Sequence, residues 1–437
     1  MGIGEILQYV SWRPREPTMN GSDKKYLTAV CAIIVVALAL RAIWASQVPV
    51  VPFSDGEAYH ILARTLVDHG VYGWSATRPS AFWPPGTSAV YAMLYWLFGP
   101  SFVPVVVLNV ILSTGTVALT ILLGRALFDR TIGIIAGSLM AIWPSEIAYV
   151  TILASEIPFT FFVLLGCVAW FNLKLPNSIR AVGSGLAFAA ATYFRPIALL
   201  LPVVLWLSAI SSWKKLRGNL PVMLCGFIVV AVAVAPWSLR NTKVFGHFVP
   251  MSTADGANLW MGNNAKSDGF YMPLPATVRG MSEYDQNKIL AEDALLYILE
   301  KPGLFVMRSI EKAALLHIRE TTAITWNNEG IKQRFGEDTV FPLKAVTQSF
   351  WSGCLSLAFV GLALLALSRG VLYAATHPVV LIWAYFTAVY SIVVVADRYH
   401  LPSHPFISML ASIAILAAVT MFNRRSFEDV KSRINVQ

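Results

Sequence analysis

The chain has 437 residues, of which 56% are hydrophobic and 13% are charged, and its formal net charge is +9. Soluble domains are about 45–50% apolar and about 25% charged, so this composition excludes a soluble enzyme, a disordered protein and a disulfide scaffold. Because the apolar residues are spread over most of the chain, they indicate a helical protein that crosses a membrane many times. The positive charge is then expected in cytoplasmic loops that set topology, not in a nucleic-acid-binding surface.

The first apolar run, residues 26–48, follows a polar segment, residues 1–25. A signal-peptide core is about 7–15 residues long, so this longer run predicts a retained first membrane helix. Nine further runs bring the predicted total to about ten spans of bilayer length. They are residues 103–123, 132–150, 156–172, 181–195, 197–211, 220–238, 349–368, 377–396 and 402–422. The two short runs joined at Arg195-Pro196 could instead form one broken helix.

The charges in the short loops predict the orientation of the protein. With both termini in the cytoplasm, most short-loop lysines and arginines, such as Lys174, Lys214 and Arg369, fall inside. Most acidic residues then fall outside, so any chemistry is expected at the outer face. The predicted organisation is an N-terminal membrane module (26–238), an outer segment (239–348), C-terminal membrane helices (349–422) and a cytoplasmic tail (423–437).

Two outer segments are large. In the first, residues 49–102, the stretch Asp55–His69 alternates polar and apolar faces at helical spacing and predicts an interfacial helix that stops at Gly70. A second, aromatic-rich interfacial helix restarts after Gly86, beyond two prolines. The other outer segment, residues 239–348, is more polar and contains a predicted helical stretch over 282–317. It is expected to be a small extracytoplasmic segment, not an independent catalytic domain.

Two acidic residues stand at the predicted outer face beside apolar helices. Asp55 directly follows the first span, where a carboxylate could act as general base on a hydroxyl presented at the membrane surface. The alternative is structural, because Ser54 and Glu57 match a capping box and Asp55 suits the start of a helix. Glu156 stands at the mouth of an apolar helix, where an acid needs a cavity, a partner or solvent.

Three arginines, Arg195, Arg240 and Arg398, are each predicted at the outer end of a span. A guanidinium group there can bind a phosphate through its planar fork, although arginines at helix ends also extend to lipid headgroups. Three arginines at one face favour a phosphate-bearing ligand. The cysteines lie in apolar stretches without CxxC spacing, and Pro402 is expected to keep His400 and His404 from sharing a helical face. No metal ligand is therefore assigned, although Asp55 and Glu57 could hold a divalent ion.

The motifs resemble those of the GT-C membrane glycosyltransferases. The similarity is to bacterial relatives of the family 39 enzymes, which include protein O-mannosyltransferases and lipid A aminoarabinose transferases. It spans nearly the whole chain in order, through SDGEAYH (54–60), WPPGTSAVYA (83–92), ASEIPFTFF (154–162), PWSLRNTKVFGHFVPMSTADGANLWMGNN (236–264) and DRYHLPSHPF (397–406). The resemblance implies an all-α membrane bundle with interfacial helices in the first outer loop.

The resemblance also implies a reaction. The donor would be a sugar on a polyprenyl phosphate, and the acceptor a hydroxyl of a lipid, glycan or protein at the outer face of a bacterial inner membrane. The family's catalytic carboxylate maps onto Asp55 and its second acid onto Glu156. The predicted mechanism is inverting, with Asp55 as general base. The predicted substrate-binding residues are Glu57, Tyr59, His60, Arg78, Arg195, Arg240, Arg398 and His400.

Two other functions fit a chain of this kind, namely a transporter or flippase of lipid-linked glycans and a glycan polymerase. Transporters tend to carry ionisable groups near the bilayer midplane and repeated halves. In this sequence the candidate groups cluster at one predicted face and no repeat is evident, which favours the transferase.

Overall fold

The computed structural model describes residues 21–434, with the side chains of residues 23–422. The outermost parts of the two predicted cytoplasmic ends, residues 1–20 and 435–437, lie outside the described residues. The described chain is almost entirely helical. Its β-structure is one small antiparallel hairpin of β1 (Gly73–Ser75) and β2 (Arg78–Pro79).

The N-terminal half contains the first outer loop and six longer apolar helices around it. Its helices are α1 (Gly21–Gln47), α2 (Asp55–His69), α3 (Gly86–Phe98), α4 (Val103–Leu127), α5 (Arg130–Ile142), α6 (Pro144–Ala148), α7 (Glu156–Phe171), α8 (Asn177–Phe194), α9 (Leu201–Leu207) and α10 (Trp213–Phe245). Short 3₁₀ turns at Tyr149–Thr151 and Pro196–Leu200 join α6 to α7 and α8 to α9. The two helices predicted in the first outer loop, α2 and α3, pack against each other.

The C-terminal half contains the second outer segment and three further apolar helices. Its helices are α11 (Asp255–Gly262), α12 (Glu283–Glu300), α13 (Pro302–Ile318), α14 (Thr322–Trp326), α15 (Asn328–Phe335), α16 (Val340–Arg369), α17 (Val371–Thr376), α18 (Pro378–Ile392) and α19 (His404–Ile434). Three 3₁₀ turns lie at Ala276–Val278, Glu337–Thr339 and Asp397–Ser403. The predicted helical stretch over 282–317 is two helices, α12 and α13, because Pro302 begins a new one.

Long apolar helices confirm a multi-pass membrane protein. Among the described residues, five helical segments are long and apolar enough to cross a bilayer, and a sixth forms if α5 and the helical residues 144–151, bent by 53°, count as one span. Every predicted span overlaps helix, but several of these helices are short. The predicted count of about ten crossings is therefore not confirmed.

Prolines place the breaks between helices. A proline disfavours helical backbone at the residue before it. α8 accordingly ends at Phe194, just before Arg195-Pro196. Arg195 is extended (φ −147°, ψ 122°) and forms a corner between α8 and the following 3₁₀ turn. Trp143-Pro144 breaks the predicted span 132–150 in the same way.

Arg41 lies in the C-terminal part of α1 and is completely buried. Its guanidinium group donates hydrogen bonds to the hydroxyl of Ser113 at 2.7 Å and to the carbonyls of Met140 and Ala141 at 3.1 and 3.0 Å. These carbonyls belong to the last turn of α5, where helix carbonyls lack helical partners. Arg41 therefore stabilises the break before Pro144 and ties α1 to α5.

The main apolar core lies between the membrane helices. α4 packs against α5 and α7, α8 packs against α7 and α10, and α16 packs against α19. Fully buried aromatic residues fill the contacts, among them Phe159, Phe188 and Trp351. A group of polar and charged side chains lies where one end of this core meets the two outer segments.

Candidate active site

A cavity of about 950 Å³ opens at the end of the bundle where α2 and α7 begin. Pockets for small molecules commonly enclose about 300–1,000 Å³ behind mostly apolar walls with a few placed polar groups. This cavity has that character. Its walls combine the start of α2, the 72–84 hairpin region, the Arg195 corner, α11 and the Asp397–Ser403 turn, with the aromatic residues Tyr59, Trp74, Phe82, Trp83, Tyr271, Trp326, Tyr390 and Tyr399.

Asp55 is held at the cavity wall by the backbone on both sides. Ser54 has a positive φ of 55°. Among the described residues it is the only non-glycine residue with a positive φ. Such backbone costs a non-glycine residue about 1–3 kcal/mol and is a feature of functional sites. On the other side, a Cβ atom on Gly56 would lie 2.9 Å from the carbonyl oxygen of Leu153, so α2 starts in direct contact with that backbone. Ser54 makes no side-chain cap hydrogen bond, so the capping-box alternative for this motif is not formed.

Two carboxylates and two arginines form a continuous network, here called the charge ladder: Asp55, Arg398, Glu156 and Arg195. Arg398 donates to Asp55 Oδ2 at 2.7 Å and lies 3.5 Å from Glu156 Oε1. Arg195 contacts the same Glu156 oxygen at 2.5 Å. Glu156 is completely buried, whereas the three other side chains are 11–22% exposed at the cavity.

Aromatic and hydroxyl groups fix the two arginines. Arg195 donates to Tyr390 Oη at 2.9 Å and to Ser155 Oγ at 3.0 Å. The guanidinium carbon of Arg398 lies 4.4 Å from the ring centre of Trp326, and Tyr399 lies beside both arginines at 5.2–5.3 Å. Cation–π contacts of this kind favour the charged guanidinium in a partly desolvated wall. The two cations are thereby oriented toward the cavity.

The charge ladder does not fit a divalent metal between Asp55 and Glu156. Both carboxylates already share Arg398, which supplies the positive charge between them. Two carboxylates balance two guanidinium groups, so the ladder has no net charge. No metal-mediated step is therefore derived at this site, and binding of a divalent ion by Asp55 and Glu57, which both line the cavity, stays a prediction.

Arg240, in contrast, stabilises the backbone of the hairpin region. It donates to the carbonyls of Tyr72 and Ser80, each at 2.7 Å, and its guanidinium group lies over the Trp237 ring. Glu283 accepts hydrogen bonds from the Ala81 amide and from the indole of Trp74. Together these contacts fix the hairpin region over the cavity.

The predicted site residues divide into two groups. Asp55, Glu57, Tyr59, Arg195 and Arg398 line the cavity, and Glu156 lies directly behind its wall. Burial raises the pKa of the Tyr59 phenol well above its ordinary value, so this residue stays protonated as a hydrogen-bond donor. The remaining predicted residues, His60, Arg78, Arg240 and His400, do not line the cavity.

These remaining residues have other surroundings. His60 contacts the hydroxyl of Tyr95 at 3.0 Å, between α2 and α3. Arg78 is exposed in β2. His400 is buried, stacks on Trp351 at 4.1 Å and lies 5.3 Å from the His404 ring. His400 lies in the 3₁₀ turn and His404 begins α19, so the two do not share the face of one helix, but the turn through Pro402 brings their rings close together.

Several cavity residues could not be assigned from the sequence. Tyr390, Tyr399 and Trp326 lie in apolar or loop stretches that look like ordinary core, and only their contacts with the arginines distinguish them. Asp255 lies at the cavity at the start of α11, where surrounding protein raises its pKa to about 6. Asp255 lies within the motif 236–264, but its local pattern does not mark it as a site residue.

A protein-family model and several solved structures match this chain. Residues 83–239 match the family model described as dolichyl-phosphate-mannose-protein mannosyltransferase. No curated protein matches the chain significantly in sequence. The oligosaccharyltransferase of Archaeoglobus fulgidus, tethered with an acceptor peptide, matches in structure with a TM-score of 0.54 and 13% identity, over 92% of this chain and 50% of that chain.

Two further structures are similar. The same archaeal enzyme, in complex with an inhibitory peptide and a dolichol-phosphate, matches with a TM-score of 0.53 and 13% identity, over 94% of this chain and 52% of that chain. ArnT from Cupriavidus metallidurans, bound to undecaprenyl phosphate, has a TM-score of 0.43 and 12% identity, over 85% of this chain and 77% of that chain. The chain spans about half the length of the archaeal chains. The match of residues 83–239 to the family model and the architecture shared with the archaeal enzyme show that this chain is a membrane protein of the GT-C fold.

Proposed function

We propose that the chain is an inverting glycosyltransferase. It transfers a sugar from a polyprenyl phosphate to a hydroxyl group of a lipid, glycan or protein at the outer face of a bacterial inner membrane. The observation that carries this proposal is the charge ladder at the cavity wall, because it places one accessible carboxylate beside two oriented guanidinium groups. The dolichol-phosphate bound to the archaeal enzyme, which is a polyprenyl phosphate, supports the class of donor.

In the proposed reaction, the acceptor oxygen attacks the anomeric carbon while its proton moves to Asp55. The bond from that carbon to the phosphate oxygen breaks on the opposite face, and the phosphate leaves with the bonding electron pair. The anomeric configuration therefore inverts. Arg398 bonds only Oδ2 of Asp55, and Oδ1 has no hydrogen-bond partner among the described residues, so Oδ1 can accept the proton.

The charge balance of the ladder suits this step. The donor is a phosphodiester with one negative charge, and the leaving phosphate monoester has two. Protonation of Asp55 leaves the charge ladder with one net positive charge at the moment when the phosphate gains its second negative charge. Arg195 and Arg398 are the groups that would stabilise that charge, because oriented donors in a partly dry site need little reorganisation.

The proposal favours a transferase over a transporter for a structural reason. The ionisable groups of the cavity lie together at the starts of α2 and α7, at one end of the bundle. An alternating-access transporter needs such groups near the bilayer midplane, reachable from both sides. A polymerase would share the same chemistry with a larger donor.

Replacement of Asp55 by asparagine tests the function. General-base catalysis contributes about 10²–10⁴-fold to rate, so Asp55→Asn is expected to lower sugar transfer by that factor while the protein stays folded. The matched control is Asp68→Asn on the same helix, since Asp68 pairs with Arg64 on the exposed side, away from the cavity.

The measurement is mass spectrometry of lipids that copurify with the wild type and both variants. Intact polyprenyl-phosphate sugar should accumulate on Asp55→Asn, while the wild type and Asp68→Asn carry the spent polyprenyl phosphate. Transfer by Asp55→Asn at the wild-type rate would overturn the role of Asp55. Bulk phospholipid alone in all three preparations would overturn the donor, and a flipping assay would then test the transporter alternative.

A further inference from the structure

A second polar cluster lies below the charge ladder, buried between the outer segment and the last membrane helix. Glu320 lies between α13 and α14, His400 lies in the Asp397–Ser403 turn, and His404 begins α19. All three side chains are buried, and one ligand atom of each lies within 4.8 Å of the others. A carboxylate and two imidazoles are a common ligand set for zinc.

The hydrogen bonds around the cluster determine which atoms face its centre. His400 Nδ1 lies 2.6 Å from the carbonyl oxygen of Leu316, which can only accept, so Nδ1 carries the proton and Nε2 presents a lone pair. His404 Nδ1 lies 2.9 Å from Oε1 of Glu146, and donation to a carboxylate again leaves Nε2 as a lone pair.

Glu320 completes the set. Its Oε1 atom accepts hydrogen bonds from the indole of Trp143 and the hydroxyl of Ser145, whereas Oε2 points to the two histidines. Oε2 lies 3.6 Å from His400 Nε2 and 3.5 Å from His404 Nε2. Neither Glu320 Oε2 nor His404 Nε2 has a hydrogen-bond partner among the described residues.

Three atoms with free lone pairs thus converge at a buried position. None of the three carries a hydrogen that it could donate to the other two. Burying unsatisfied polar groups in this way is unfavourable, and more so where the group is charged. A cation at the centre would remove this cost. Four ligands placed about 2.1 Å from a tetrahedral zinc ion lie about 3.4 Å apart, which matches the two distances to Glu320.

We propose that Glu320, His400 and His404 bind a divalent transition-metal ion of the zinc type. In such sites each ligating histidine usually donates a hydrogen bond from its other ring nitrogen. Here the Nδ1 atoms of His400 and His404 donate to a carbonyl and a carboxylate. A cavity of about 10 Å³ lies against all three ligands and the hydroxyl of Tyr149, which has no hydrogen-bond partner among the described side chains. One water in this cavity completes a four-ligand shell.

The ion acts as a positioning element rather than a reactant. It joins Glu320 to the chain segment that carries Arg398, two residues before His400. Asp397 reinforces this link, because it accepts hydrogen bonds from Thr321 and Thr322, directly after Glu320. Metal binding therefore fixes the backbone from which Arg398 reaches Asp55 and Glu156. Metal binding requires only these ligands. Its test is therefore independent of the proposed transferase reaction.

The test measures metal in the purified full chain, after removal of any histidine tag, chelation and reloading with zinc. By mass spectrometric elemental analysis, the wild type is expected to retain about one zinc per chain. Glu320→Gln and His404→Gln are expected to lose it. His317→Gln is the matched control and should retain the ion. His317 lies beside His400, but its two ring nitrogens already contact Ala313 and Trp383.

A spectroscopic measurement on the wild type keeps the test independent of variant folding. X-ray absorption at the zinc edge should show only nitrogen and oxygen ligands, including imidazole scattering. No retained zinc in the wild type, or equal zinc in the wild type and the folded ligand variants, would overturn the proposal. Sulfur scattering would also overturn it, because it would place the ion at one of the cysteines.

Discussion

The side chains of the charge ladder stabilise one another as a unit. Glu156 is fully buried, and Arg195 and Arg398 both contact its Oε1 atom. Removing one member of a buried ion pair typically costs about 3–5 kcal/mol, because the remaining charge stays in a poorly solvated place. Asp55 is the more exposed acid, so a ligand or a proton can reach it while Glu156 keeps the two arginines in position.

Asp255 makes the cavity sensitive to pH. Nearby protein removes water from its carboxyl group and raises its pKa from 3.8 to about 6, although the side chain remains open to the cavity. Below about pH 6 the group is neutral, and above it the group is an anion facing the proposed phosphodiester site. Donor binding by the wild type is therefore expected to tighten as the pH falls from 7.5 to 5.5.

Asp255→Asn isolates this effect. With a neutral amide, binding of a polyprenyl-phosphate-linked sugar should be tight at both pH values, because the phosphodiester keeps its single charge throughout this range. Asp293→Asn, at an exposed position of α12, should behave like the wild type. An equal pH dependence of the dissociation constant in Asp255→Asn and the wild type would show that another group controls it.

The amino-acid sequence was informative about which residues form the ladder but not about how they pair. Asp55, Glu156, Arg195 and Arg398 are conspicuous because each is charged and stands beside an apolar helix. Arg398 and Asp55 are 343 positions apart, and only the packing of the last helices against the first loop brings them together. Arg240 carries the same local signal, yet its guanidinium group is used by backbone carbonyls. Local pattern cannot separate these two uses of an arginine.

At the scale of elements, the start of α2 is fitted directly against neighbouring backbone. Gly56 lets the helix lie directly on the carbonyl of Leu153, with no room for a side chain. Gly56→Ala is expected to destabilise the protein by about 1–3 kcal/mol, as overpacking generally does, and to reduce transfer because Asp55 moves with the helix. Thermal unfolding in detergent and the transfer rate are the measurements.

The control for this change is Gly353→Ala in the middle of α16. An added Cβ there meets no atom within 4 Å, so the only effect is the helix propensity of alanine, a gain of about 0.5–1 kcal/mol. The two substitutions should therefore shift the unfolding temperature in opposite directions. A Gly56→Ala protein as stable and as active as the wild type would mean that the contact with Leu153 does not fix Asp55.

Element boundaries followed from the sequence where a specific residue sets them. Proline ended α8 before Arg195-Pro196, and Ser282 caps α12 by accepting a hydrogen bond from the Asp285 amide. The break at Pro302, where α13 starts, was not predicted, because the stretch 282–317 was expected to be one helical run. The length of α10 was less predictable. It runs from Trp213 to Phe245, well beyond the predicted apolar core of 220–238, because polar turns continue a helix outside the membrane as readily as apolar ones.

At the scale of the whole molecule, the positions of the charges and of the cavity specify an orientation. Glu156 begins α7 at the cavity, and the loop with Lys174 follows the other end of that helix, about 24 Å away for 16 residues. The excess of lysine and arginine in loops at that far end predicts that it faces the cytoplasm and that the cavity faces outward. Such a placement gives the cavity access to a lipid-linked donor in the outer leaflet.

Single cysteines at exposed positions test this orientation. In a background without Cys31 and Cys225, the exposed native cysteines of the described chain, Asp293→Cys should react with a membrane-impermeant maleimide on intact spheroplasts. Lys174→Cys should react only after the membrane is permeabilised. Labelling of Lys174→Cys but not Asp293→Cys on intact spheroplasts would invert the topology. The cavity would then face the cytoplasm, and a donor in the outer leaflet could not reach Asp55.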